Sequence, residues 1–72
     1  MFKPISFPPS TNVVGVEYDV DNQTLVVTFL SGRVYAYDQV DELTANGFEK
    51  APSAGHYLDD FIKPLYAARR LA

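Results

Sequence analysis

A chain of 72 residues can bury roughly 60% of its unfolded surface around one core, which excludes a second domain and leaves little room for a carved active site. An apolar fraction of 47% with five Tyr and five Phe excludes a disordered tail, the lack of cysteine excludes disulfides and thiolate metal sites, and no apolar run approaches the ~18 residues of a membrane span. The net charge of −3 is uneven: seven carboxylates lie from Glu17 to Glu49 against Arg33 alone, whereas Lys50, Lys63, Arg69 and Arg70 outnumber Asp59 and Asp60 further on.

Residues 1–10 carry Pro4, Pro8 and Pro9. Proline fixes φ and holds the residue before it extended, so this stretch is expected to be an extended arm. Phe2, Ile5 and Phe7 are its apolar anchors, either tying the arm to the domain or docking on a partner. The arm has no apolar segment of the kind a secretory signal needs, so a cytoplasmic protein is expected. Residues 11–72 are read as one domain.

Three strands follow. Val14, Val16 and Tyr18 alternate, as in a half-buried strand. Asp19 to Gln23 has turn chemistry, since Asp and Asn bond their own backbone. Thr24 to Leu30 is rich in β-branched and aromatic residues, Ser31-Gly32 forms a tight turn, and Arg33 to Asp38 makes the third strand. With a two-residue loop at Ser31-Gly32, Leu25, Val27, Phe29, Val34 and Ala36 form the core face, and Val26, Thr28, Arg33, Tyr35 and Tyr37 the opposite one. A three-residue loop would reverse that pairing, because side chains alternate with period two.

Two short helices are expected to pack on this three-stranded antiparallel meander, giving an α+β fold. Val40 to Asn46 spaces Val40 and Leu43 helically, has acids in its first turn, and ends at Gly47, read as a left-handed stop. Ser53 is a candidate N-cap for a second helix with Leu58, Phe61, Ile62 and Leu65 on one side. Pro64 should end or kink it near Lys63, with Tyr66 to Ala72 continuing as a further helical piece.

The run Phe29-x-Ser31-Gly32-x-x-Tyr35-x-Tyr37, then Val40, Ala51-Pro52-Ser53-x-Gly55-x-Tyr57, Ile62 and Tyr66, resembles the KTSC domain family. That family is named for the C-terminus of some lysyl-tRNA synthetases and includes stand-alone bacterial and phage proteins. Size and acidity further resemble its small phage-encoded regulators, which bind bacterial RNA polymerase, hinder initiation and promote antitermination. The resemblance also implies RNA binding, although Ala54 and Asp59-Asp60 stand where basic residues would help phosphate contact.

Catalytic chemistry is not expected. His56 is the single histidine, Asp59 and Asp60 diverge by about 100° on a helix, and no phosphate loop or nucleophile elbow occurs. No cofactor or metal is implied. The favoured expectation is a monomeric regulator that meets a basic segment of RNA polymerase through Glu17, Asp19, Asp21 and Asp38, with Phe2, Phe7 and Tyr35 as apolar anchors. The alternative is RNA binding by Tyr35 and Tyr37, which either stack on bases or pack beneath the second helix, with Arg33, Arg69 and Arg70. A generic domain that dimerises through a sheet edge is a third reading. Ser53 and Gly55 open a helix whose N–H groups either bind an anion or are simply capped.

Overall fold

The computed structural model describes all 72 residues. Five antiparallel strands lie in the order β1 (Phe2–Pro4), β2 (Val13–Asp19), β3 (Thr24–Phe29), β4 (Val34–Tyr37) and β5 (Ala68–Arg70). Between β4 and β5 come α1 (Glu42–Asn46), a 3-10 turn (Gly47–Lys50), and α2 (Ala54–Tyr57), which continues as a π-helical turn over Leu58–Ile62. The α+β class and the meander of β2 to β4 agree with the sequence reading, but the sheet has five strands and not three.

Both extra strands come from segments without β-periodicity. The proline arm pairs with β2, Lys3 opposite Tyr18 and Pro4 opposite Glu17. An edge strand leaves one side without ladder bonds, so Pro4 is tolerated there. The arm is anchored beyond β1 as well: the Ile5 amide donates to Val16 O at 2.8 Å, and the Ile5 side chain is buried in the core. The segment read as a helical continuation instead forms β5, with Tyr35 opposite Arg70 and Tyr37 opposite Ala68. Ala and Arg favour helix intrinsically. The ladder with β4 overrides that preference and extends past β5, where Leu71 N donates to Val34 O at 2.7 Å.

The β3–β4 hairpin has three loop residues, not two. Phe29 N donates to Arg33 O and Gly32 N to Phe29 O, both at 2.9 Å, and Gly32 has φ +93°. A turn closed by a left-handed residue is the other common short hairpin, and Gly serves either form. One residue of slip reverses the faces. Leu25 pairs with Tyr37 and Val27 with Tyr35, so both tyrosines lie on the core face. Val34 and Ala36, expected on the core face, stand with Val26 and Thr28 on the other face, where Ala36 is nonetheless buried at 1% exposure. A bulge between Val13 and Gly15 has a similar effect in β2: Val13 is buried, and Val14, expected beside Val16, is 52% exposed.

The core lies between one face of the sheet and the helices, joining Val16, Tyr18, Leu25 and Val27 to Phe48, Leu58 and Ile62. Each such side chain contributes about 1.5–3 kcal/mol on burial. Asp41 caps α1, its carboxylate accepting from Thr44 N at 3.3 Å, while Leu43 is 83% exposed and leaves Val40 as the buried member of that pair. Gly47 does not stop the helix in a left-handed conformation, since its φ is −59°. Glycine is required there because a Cβ would overlap the Tyr57 ring and hydroxyl. In the second helix Leu58 and Ile62 are buried, but Phe61 and Leu65 point outward. Lys63 N reaches Leu58 O at 2.9 Å, five residues back, so the turn is wider than an α-helical one. Pro64 has no N–H for Asp60 O and its ring crowds that carbonyl, which favours the wide turn.

Candidate functional site

Moving Tyr35 and Tyr37 to the core face has a functional consequence, because the helices do not cover the whole of that face. At the hairpin end, a cleft of about 510 Å³ opens between β3, β4, the residues entering β5, and the end of the second helix. Tyr37 is its floor, 3% exposed. Burial pushes the Tyr37 hydroxyl above its ordinary pKa, opposed by the nearby Lys63 charge. Tyr35 is half-buried and meets Phe29 edge-to-face with centroids 5.9 Å apart. Tyr66 closes another side, its hydroxyl donating to Asp41 Oδ1 at 3.3 Å.

Two cations line the same cleft. Lys63 Nζ lies 3.1 Å from Asp59 Oδ1, a pairing between exposed groups that gains little and can exchange for another anion. Arg33 has no carboxylate within ion-pair reach. Arg70, opposite Tyr35 on the same face, bonds only the Ala72 carbonyl through Nε at 3.1 Å. Half-buried aromatic surface beside uncommitted positive charge suits a flat ring carrying an anion.

Of the residues singled out in the sequence, Arg33, Tyr35 and Tyr37 come together here. The carboxylates do not form one patch. Asp19 is 5% exposed and engaged inside the β2–β3 turn, accepting from Asn22 Nδ2 at 2.8 Å, from Asp21 N at 3.1 Å and from the Met1 ammonium at 3.1 Å. Those partners, Asn22 first, hold its pKa below the ordinary carboxylate value. Asp38 lies beyond β4 and is held bidentately by Arg69 at 2.8 and 2.9 Å, which lowers its pKa and raises that of Arg69. Arg69 is therefore committed to Asp38, and its register opposite Ala36 puts it on the outer face. Glu17 and Asp21 stay exposed near the β1–β2 edge, beside Phe2 at 43% exposure, while Phe7 packs half-buried against the core.

Lys63, Tyr66 and Asn12 belong to the cleft and were not singled out as part of one site with Arg33 and Tyr35. Only Pro64 hinted at them, since a helix broken there must present Lys63 at its end. A second depression of about 460 Å³ lies over Lys50, Ser53, His56, Tyr57 and Phe61. There Ser53 Oγ accepts from His56 N at 3.3 Å, an ordinary helix cap. No group of three or more His, Cys, Asp or Glu side chains is placed to hold a metal ion, and no helix is long and apolar enough to cross a membrane.

Comparison with known proteins agrees with this architecture. The family model described as the KTSC domain matches residues 9–66. The crystal structure of a KTSC domain protein from Yersinia pestis superposes with a TM-score of 0.86 at 27% identity, covering 100% of both chains. The lysine–tRNA ligase of Nostoc punctiforme is 30% identical over 69 residues, and that of Trichormus variabilis 32% over 69. The match takes in 96% of this chain but spans only 12% of the length of those ligases.

Proposed function

The chain belongs to the KTSC domain family, and from that premise we propose that it is a non-enzymatic module that binds single-stranded RNA in the Tyr35–Tyr66 cleft. The observation that carries this reading is the meeting of Tyr35 and Tyr66 with Arg33 and Lys63 in one cleft, although the molecule as a whole is acidic. Aromatic faces stack on bases and cations meet phosphate. Related sequence within ligases named for tRNA is consistent with an RNA ligand. Fluorescence anisotropy with labelled single-stranded RNA at low salt tests the reading. Binding that weakens about tenfold or more in Tyr35→Ala and Lys63→Ala supports it, since one stacked base contributes ~1–3 kcal/mol. No binding at low salt rejects it.

A different observation favours a second reading. At the β1–β2 edge the exposed side chains of Phe2 and Val20 lie near Glu17 and Asp21, an acidic and apolar surface of the kind that receives a cationic polypeptide. On this reading the protein is a phage regulator in the host cytoplasm that binds bacterial RNA polymerase, inhibits initiation and promotes antitermination. Retention of polymerase subunits from extract, lost on Glu17→Lys with Asp21→Lys, would favour it over RNA binding.

A further inference from the structure

Resting on the RNA-binding reading, we infer that the cleft takes a single nucleotide unit, one base with one phosphate, and not a length of strand. Three features of the molecule lead there. The first is size: about 510 Å³ lies at the lower half of the range for small-ligand pockets, roughly 300–1,000 Å³. Of the four rings that line it, Tyr37 is 3% exposed and Phe29 meets Tyr35 edge-to-face, so few faces are left for bases to stack on.

The second is charge. A protein that tracks a nucleic-acid backbone meets several phosphates with as many basic side chains. Here the cations that line the cleft are Arg33, without a carboxylate partner, and Lys63, shared with Asp59, while Arg70 donates to the Ala72 carbonyl. The others are elsewhere: Lys3 pairs with Glu42 at 3.3 Å, Arg69 with Asp38 on the outer face, and Lys50 lines the second depression. One phosphate, or two at most, can be met.

The third is the charge of the rest of the molecule. The net charge is −3, and Glu17, Glu49 and Asp60, away from the cleft, have no basic partner. A strand longer than the cleft meets a molecule of net negative charge, which does not reward added length. The unit is a free mononucleotide or one nucleotide of a flexible strand, and its chemistry is the same in both.

NMR chemical-shift titrations of the whole chain decide it, using adenosine 5′-monophosphate, a 5′-phosphorylated octa-adenylate and the same octamer without terminal phosphate, each at two salt concentrations. The expected result is affinity per nucleotide equal within about tenfold for the monophosphate and the phosphorylated octamer, with log K for the octamer falling against log salt at a slope of about −0.7. Arg33→Ala should weaken both ligands alike. Binding of the unphosphorylated octamer would place the unit within strands, and its failure would restrict the site to a free or terminal nucleotide; both results support a single-unit site. An octamer more than about tenfold tighter per nucleotide, or a slope steeper than about −2, overturns the inference and leaves RNA binding standing. No binding by any of the three removes the RNA reading itself.

Discussion

Asp19 keeps a carboxylate almost out of water because donors surround it: Asn22 Nδ2, the amides of Asp21 and Asn22, and the Met1 ammonium. Its pKa is lowered in the folded chain. The same direction holds for Asp38, held by Arg69, and Asp41, held by Thr44. A group with a depressed folded pKa adds stability above its unfolded value, and that contribution is lost as pH falls through the folded one. Stability should therefore drop as the medium is acidified below about pH 4. Asp19→Ala should lower the urea midpoint at neutral pH and flatten that acid limb, as equilibrium unfolding across pH will report. Gly47 makes a second residue-scale prediction. Tyr57 donates to Thr44 O at 2.6 Å across the space a Cβ would fill. Gly47→Ala should cost about 1–3 kcal/mol by overpacking. Adding Tyr57→Ala should make the Gly47 substitution nearly neutral, which a double-mutant cycle in urea measures.

Single residues decided how much of each element could be read in advance. β2, β3 and β4 were legible because β-branched and aromatic residues alternate between turn signals, and Ser53 was legible as a cap. The hairpin register was not, since Ser31-Gly32 fits a two- or a three-residue loop equally well and only the ladder chooses. That one ambiguity set whether Tyr35 and Tyr37 face the core, and so hid the cleft. β1 and β5 were invisible because three-residue edge strands carry no periodicity. The π-helical turn changes the phase of the second helix, so Phe61, expected on the same side as Leu58 and Ile62, is 53% exposed while those two are buried. The hairpin gives the prediction at this scale. Gly32 has φ +93° with open space around it. Gly32→Ala should cost about 1–2 kcal/mol through backbone conformation alone. Gly32→Asn should cost less, because Asn tolerates positive φ better. Thermal unfolding of the two variants checks the order.

At the scale of the whole molecule, the helices cover one face of the sheet and leave the hairpin end of that face open, while both sheet edges are short. β1 presents Lys3 and Pro4, and β5 presents Arg69 and Arg70. Charges and proline on edges oppose strand-to-strand association. The chain should accordingly sediment as a monomer at every accessible concentration, and a mass that grows on concentrating the sample would contradict that. On the proposed RNA-binding reading, the acidic surface would act as a selective background, repelling anions over most of the molecule and admitting one where Arg33 and Lys63 flank aromatic surface. The most direct test of this account is an amide chemical-shift map recorded while single-stranded RNA is added at low salt. Perturbations gathered at Arg33, Tyr35, Lys63 and Tyr66, with Phe2, Glu17 and Asp21 unmoved, are the predicted result. Shifts confined to the β1–β2 edge, or none at all, would contradict it.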